Sequence, residues 1–203
     1  MAFDLITIDG QSAAGKSSVA EILKNKMGYA TLSTGHFFRA AAASIALGGD
    51  WHLLCDTAIG WHNDGGSFMP TIGGEAVSMD KLSSDAVIRM VPQIAHLKSV
   101  RRYFKTVFRG ICLVAKHTGY PGLVVDARDA GSYIFPESNY KFFLTADIDT
   151  RVGRRGGAES EESLLLRDVP GILKLPPGAV EIDTTDLTKV GVASMMIEHI
   201  EGL

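Results

Sequence analysis

The stretch Gly10-Gln11-Ser12-Ala13-Ala14-Gly15-Lys16-Ser17 follows directly on the apolar run Phe3-Asp4-Leu5-Ile6-Thr7-Ile8-Asp9. The octet fits the phosphate-loop pattern G-x-x-x-x-G-K-S/T. Its flanks carry as much information as its letters. The run before it suits a buried strand, and Val19, Ile22, Leu23 and Met27 behind it recur at helical spacing. A glycine-rich turn between a strand and a helix turns several backbone N–H groups toward one point at a helix N-terminus, which holds a polyphosphate without an equal number of fixed cations. Gly10, Gln11, Ser12, Ala13, Ala14, Gly15, Lys16, Ser17 and Ser18 are therefore the expected nucleoside-triphosphate-binding residues. Lys16 reaches the β- and γ-phosphates as a point charge, and the Ser17 hydroxyl completes the shell of a phosphate-bound magnesium ion.

Working outward, the remaining chain reads as one globular domain. It has 203 residues, 46% hydrophobic and 21% charged, with a net charge of -3 and a pI near 6.1. That balance argues against a nucleic-acid polymer or an anionic membrane surface as the main partner. The N-terminal segment carries Asp4 and Asp9 where a secretion signal needs a basic and then apolar stretch, and no run approaches membrane-span length. A cytoplasmic monomer is expected. Cys55 and Cys112 form no C-x-x-C motif and read as small buried hydrophobes in a reducing compartment. His36, His52, His62, His96, His117 and His199 are scattered without metal-ligand spacing and read as surface or satisfied core residues.

Short apolar runs alternate with longer helical patterns, the sequence form of a parallel sheet covered by helices. The expected strands are 5–9, 30–33, 123–126, 141–145 and 180–183; the expected helices are 16–27, 35–47, 84–97, 99–117 and 187–200. Two segments stand outside the alternation. Residues 48–80 contain both tryptophans and a Gly73-Gly74 turn between apolar runs, which suits a hairpin-bearing insertion, and 153–171 are rich in Gly, Glu and Arg and read as mobile. Open parallel sheets bind ligands beyond the carboxyl ends of their strands, so the residues that end the strands are the ones to inspect.

One such end reads Gly122-Leu123-Val124-Val125-Asp126-Ala127-Arg128-Asp129-Ala130-Gly131. Asp126 is suited to orient water on a magnesium ion, Arg128 to hold a phosphate with its planar fork, and Asp129 to accept from an exocyclic amino group. Taken without the phosphate loop, an Arg–Asp surface turn accounts for the same residues.

With these residues in hand, the chain resembles the cytidylate kinase family of nucleoside monophosphate kinases. The resemblance rests on the phosphate loop, on Leu32-Ser33-Thr34-Gly35-His36-Phe37-Phe38-Arg39, on Val100-Arg101 and on Asp126-Ala127-Arg128-Asp129-Ala130-Gly131-Ser132. Phe135-Pro136, Phe143-Leu144-Thr145-Ala146, the arginines of 151–155 and Ile182-Asp183-Thr184-Thr185 follow in the family's order. The resemblance implies an α/β P-loop NTPase fold: three α/β/α layers, a five-stranded parallel sheet, a small insertion that clasps the monophosphate, and a short lid. It implies a single kinase domain, with core about 1–38, 93–150 and 175–203, insertion about 39–92 and lid about 151–174. The implied reaction is transfer of the ATP γ-phosphoryl group to a pyrimidine nucleoside monophosphate, CMP or dCMP, with Mg2+ held by Ser17 and Asp126. The catalytic cations would be Lys16, Arg128, Arg151, Arg155 and Arg167, with Arg154 in the same basic segment. The acceptor would be held by Thr34, Arg39, Arg101, Arg128, Asp129 and Asp168, with Arg101 and Asp129 facing the cytosine and Asp168 the sugar.

The chain also departs from the family pattern. Phe38 stands where a tyrosine is usual and Pro92 where a serine is, and the stretch before the last strand is reduced to Arg167-Asp168-Val169-Pro170-Gly171, with Lys174 beyond it as a substitute cation. These departures leave two other readings open: a P-loop kinase for a modified deoxycytidylate or small metabolite, and a non-catalytic nucleotide-binding module. A GTPase switch is disfavoured because Asn25-Lys26-Met27-Gly28 lacks the guanine-reading aspartate, and a motor ATPase because Ala127, not glutamate, follows Asp126.

Overall fold

The computed structural model describes residues 3–46, 59–156, 160–168 and 172–202. Strand β1 (Asp4–Gly10) is buried from Leu5 onward, as the central strand of a sheet covered on both faces must be. On one side of it lie β6 (Gly122–Asp126) and then β2 (Ala30–Ser33); on the other lie β7 (Tyr140–Thr145) and then β8 (Val180–Asp183). All four pairings are parallel, so the five expected strands form one parallel sheet in the order β2-β6-β1-β7-β8. Their carboxyl ends consequently share one edge. Gly10, Ser33, Asp126, Thr145 and Asp183 are the residues that reach it.

The sheet is wider than the expected five strands. β4 (Ser67–Ile72) pairs in parallel with β2, and β3 (Ile59–Asp64) and β5 (Glu75–Ala76) pair antiparallel with β4, giving an eight-stranded sheet. The Gly73-Gly74 hairpin is present as β4–β5. A second hairpin, β3–β4, turns at Gly65-Gly66 and attaches the insertion to the main sheet. It joins β2 through the register Thr31↔Ser67 and Leu32↔Phe68, with the Thr31 N–H donating to Gly66 O at 2.8 Å, too short a pairing to announce itself in sequence.

Helices α1 (Lys16–Met27) and α8 (Lys189–Glu201) cover one face through Val19, Leu23, Val192 and Met196. On the other face, α2 (Thr34–Ala46), α4 (Asp85–Ala95) and α5 (Lys98–His117) enclose a core built around Phe37, Phe104 and Phe108. Phe104 and Phe108 stack with ring centres 5.6 Å apart, and Phe37 meets Phe108 edge-on at 5.2 Å. α5 presents Val100, Phe104, Phe108, Ile111 and Ala115 at intervals of three and four, and this stripe fixes where Arg101 points.

Short helix α3 (Met79–Leu82) precedes α4, and 153–171 is not irregular throughout: α6 (Ile148–Gly153) runs into it and α7 (Glu161–Arg167) lies within it. Ser160 caps α7 by accepting from the Ser163 N–H, and Leu164 is buried beneath it. Cys112 is a free thiol, half-buried on α5 and packed against the aromatic core. Cys55, His52 and both the start of the insertion and Val169, Pro170 and Gly171 lie outside the described residues. Among the described residues, no helix is long and apolar enough to cross a membrane.

Candidate active site

The phosphate loop is shaped by backbone conformations that few side chains allow. Gly10 has φ +132° and lies so close to β7 that a Cβ there would run into the Leu144 backbone. Ala13 is the one described non-glycine residue with positive φ, at 61°, a local strain of roughly 1 kcal/mol or more that clusters at ligand-binding turns. The Lys16 ammonium is buried and donates to the carbonyls of Gly10 at 2.9 Å and Gln11 at 2.6 Å. Burial, with Arg128 nearby, brings its pKa down to about 8. Gln11 ties the loop to β7, its N–H donating to Leu144 O at 3.1 Å and its Oε1 accepting from Ala146 N at 3.1 Å.

Asp126 ends β6 in register with Ser33 of β2 and Ile8 of β1, which brings its carboxylate to the mouth of the loop. It accepts from Ser17 Oγ and, at 3.3 Å, from Ser33 Oγ; Thr34 Oγ1 donates to the Asp126 backbone carbonyl at 3.2 Å. A carboxylate and a hydroxyl converging beside a phosphate loop form a hard oxygen donor set, which fits magnesium. Among the described residues no cluster of three His, Cys, Asp or Glu side chains forms a metal cage, so such an ion would depend on phosphate oxygens and water for its other ligands.

A cavity of about 600 Å³ extends from this loop along Lys16, Asp126, Arg39, Arg154 and Leu187. A second, more apolar pocket is walled by Phe38, Ile88, Val91 and Ala95 and has Arg101 and Asp129 at its polar end. The two share Gly35, Arg39, Arg128 and Arg167. This is the arrangement a two-substrate transferase needs: two adjoining sites with cations at the seam. Arg101 pairs with Asp129, both largely buried, and stacks over the Tyr133 ring at 4.7 Å. Burial raises the Asp129 carboxyl above its ordinary range and Arg101 opposes the shift. Arg128 donates through Nη2 to Ser12 Oγ at 3.1 Å and through Nε to the Arg167 carbonyl at 2.6 Å; burial lowers its pKa from the ordinary guanidinium value.

The expected lid residues come to the loop, but not all where the family pattern suggests. Arg151 is buried, with Nη1 donating to Asp168 Oδ2 at 2.7 Å and to Ser12 O at 3.3 Å, while its Nε has no partner among the described residues. Asp168 Oδ1 accepts from the Ser12 N–H at 2.6 Å. Its carboxylate thus lies on the phosphate loop and not among the residues that line the second pocket; as the residue that ends α7 it is carried there by that helix. Arg154 reaches Thr184, whose hydroxyl also meets Ala14 O at 3.0 Å and joins the loop to the end of β8. Arg155 and Arg167 line the large cavity. Pro92 sits inside α4 without lining the second pocket, whereas Phe38 does line it and meets Phe104 at 4.9 Å.

Two site residues escape the sequence reading. His36 lines the large cavity, its Nδ1 is buried without a partner, and burial with Arg39 nearby lowers its pKa, so it is neither a surface nor a satisfied core residue. Asp9 is fully buried and accepts two backbone N–H groups from the loop beyond Asp129. Its position at a strand end immediately before Gly10 was the available signal.

The sequence profile described as cytidylate kinase matches residues 6–167. A cytidylate kinase of Geobacillus thermodenitrificans is 31% identical, with 96% of this chain and 95% of that protein covered. One from Salinibacter ruber is 33% identical over 74% of this chain and 69% of its own length. Among solved structures, the thymidylate kinase of Candida albicans superposes with a TM-score of 0.52 at 13% identity, covering 98% of this chain and 92% of that one. The protein TT1252 from Thermus thermophilus gives 0.57 at 15% identity, covering 100% and 98%. These likenesses in structure concern the fold.

Proposed function

Because this chain belongs to the cytidylate kinase family, and is thereby a nucleoside monophosphate kinase using ATP, we propose that its acceptor is a cytosine nucleotide, CMP or dCMP. The observation that carries the reading is the Arg101–Asp129 pair at the polar end of a pocket that shares Arg39 and Arg128 with the donor cavity. Cytosine presents an amino donor beside ring acceptors, so a carboxylate facing the first and a guanidinium facing the second match it. Uracil reverses the pattern at those atoms, and buried groups left mispaired are costly.

An oxygen of the acceptor phosphate attacks the γ-phosphorus of ATP, a P–O bond forms to it, and the bond to the β–γ bridging oxygen breaks with ADP as leaving group. The nucleophile is already anionic at neutral pH, so no protein base is required. The protein's task is position and charge. Thr34, Arg39 and Arg128 hold the acceptor phosphate at the seam of the two cavities. Lys16 exchanges the carbonyls of Gly10 and Gln11 for phosphate oxygens, while Arg151, Arg155 and Arg167 approach the transferring group from the lid. Arg151 has an unpartnered buried Nε to offer. Asp168 acts on the donor side, holding Arg151 in place. Magnesium, held through Ser17 and Asp126, would supply charge neutralisation across the β- and γ-phosphates.

The reading is tested by the product. With MgATP and CMP the purified chain is expected to yield CDP and ADP in equal amounts, resolved by ion-exchange chromatography. ATP consumption with neither CDP from CMP nor dCDP from dCMP would overturn it.

A further inference from the structure

Asp9 has no part in the transfer just described, yet it is the most enclosed carboxylate at the site, with no exposed surface. Both of its oxygens are occupied: Oδ1 accepts from the Ala130 N–H and Oδ2 from the Gly131 N–H, each at 2.7 Å. These amides open the π-helical turn Ala130–Ile134, whose first N–H groups have no partner within the turn. The residue before that turn is Asp129, and Arg128 precedes it. At the other end, Asp9 is bonded to Gly10, whose carbonyl receives Lys16. One buried side chain therefore links the donor loop, to which Asp9 is directly bonded, with the turn that follows Arg128 and Asp129.

We propose that Asp9 is a positioning residue: it sets Arg128 and Asp129 against the phosphate loop so that the acceptor lies in line with the donor. The identity of that acceptor rests on the reading above; the strut does not. Asp9 touches neither substrate and acts through the Ala130 and Gly131 amides it holds, which follow Arg128 and Asp129 in the chain.

Burial raises its carboxyl to about 6 even with two amides bound; Asp129 nearby pushes the same way and Lys16 opposes. Its ionised form is thus less favoured in the fold than in the unfolded chain, and the two amides are what hold it there. Asparagine would be uncharged, but it has one acceptor oxygen where the turn presents two donors, and its NH2 would face an N–H. The turn is closely packed at Gly131. A Cβ on Gly131 would stand 2.8 Å from Thr7 Oγ1, 3.1 Å from Pro176 Cγ and 3.2 Å from Asp9 Oδ2.

The test compares Asp9→Asn and Gly131→Ala with the parent chain in thermal midpoint, KM for ATP, KM for the acceptor, and hydrogen exchange at Ala130 and Gly131. Asp9→Asn is expected to raise the acceptor KM on the order of tenfold, the loss of one buried charged hydrogen bond, whether or not its thermal midpoint falls by a few degrees. The KM for ATP should move by no more than about twofold, since uniform donor binding is untouched. Gly131→Ala should reproduce the split, and it alone decides if Asp9→Asn does not fold. Equal rises in both KM values, or a lowered midpoint with both KM values unchanged, would overturn the proposal. If the parent chain phosphorylates no nucleoside monophosphate, the cytosine reading fails by itself. The strut is then judged by faster exchange at Ala130 and Gly131 with calorimetric ATP affinity retained; unchanged exchange there would overturn it.

Discussion

The donor loop and the acceptor pocket adjoin at Arg128, yet they are built from different materials. Residues 10–17 form one continuous segment whose shape is set by main-chain conformation, with Gly10 pressed on β7 and Lys16 held by two carbonyls of the same loop. The acceptor pocket draws side chains from α2, α4, α5 and the loop after β6, and its polar end is a single ion pair between residues 28 positions apart. A site made from backbone recognises what all nucleoside triphosphates share. A site made from paired side chains recognises one base and changes its preference when one partner changes. The difference predicts where substitutions abolish the reaction and where they redirect it.

The largest effect should come from the donor side. Lys16→Ala removes the one side-chain cation of the loop and should lower kcat by roughly a thousandfold or more, measured as ADP release under saturating substrates. Activity near that of the parent would break the account of the loop. Asp129→Asn should come next and differ in kind: kcat/KM for CMP falls by about a hundredfold, while the rate with UMP falls far less, so the preference narrows. Equal losses with both bases would mean that Asp129 supports the fold of the pocket and does not read the base.

Proton linkage separates the two halves further. Lys16 has a pKa near 8 in the free protein, and phosphate binding must raise it, so ATP binding takes up protons around pH 8. Affinity for ATP should therefore fall by about tenfold between pH 7 and pH 9 as the lysine loses its charge in the free protein. Calorimetry in two buffers of different ionisation enthalpy would reveal the uptake, and its absence would contradict the buried, carbonyl-bound lysine. The smallest effect is expected at Phe38. An added hydroxyl in an apolar wall is weakly discriminated, so Phe38→Tyr should lower the acceptor KM by no more than about threefold. A larger change would move the weight of recognition from the Arg101–Asp129 pair to the aromatic wall.

The same contrast explains what could be read from the chain directly. β1, the loop and α1 are contiguous, so strand burial, glycine spacing and helical periodicity reinforce one another within a short stretch, and the neighbouring strand β6 is buried throughout. The β3–β4 hairpin gave no such signal, because Ile59–Asp64 is half polar and Pro70 interrupts the partner strand. α7 was obscured by the glycine and charge content around it, although Ser160 with Ser163 supplies its cap. Arg101 and Asp129 could be named from a family resemblance, but only the packing of Val100 and Phe104 beneath α5 brings them together. Asp9 and His36 show the remaining limit: a carboxylate in a strand and an imidazole in a helix read as ordinary until tertiary structure reveals what faces them. Asp168 shows it from the other side, since the end of α7 carries a residue expected at the sugar onto the Ser12 amide.

The measurement that bears most directly on a backbone-built donor site joined to a side-chain-built cytosine site is a panel of nucleoside monophosphates offered with MgATP, scored by kcat/KM for ADP formation. CMP or dCMP should exceed UMP and the purine nucleotides by about a hundredfold or more. Comparable turnover of UMP, a purine nucleotide as the best acceptor, or ATP binding with no ADP formed on any of them would contradict it.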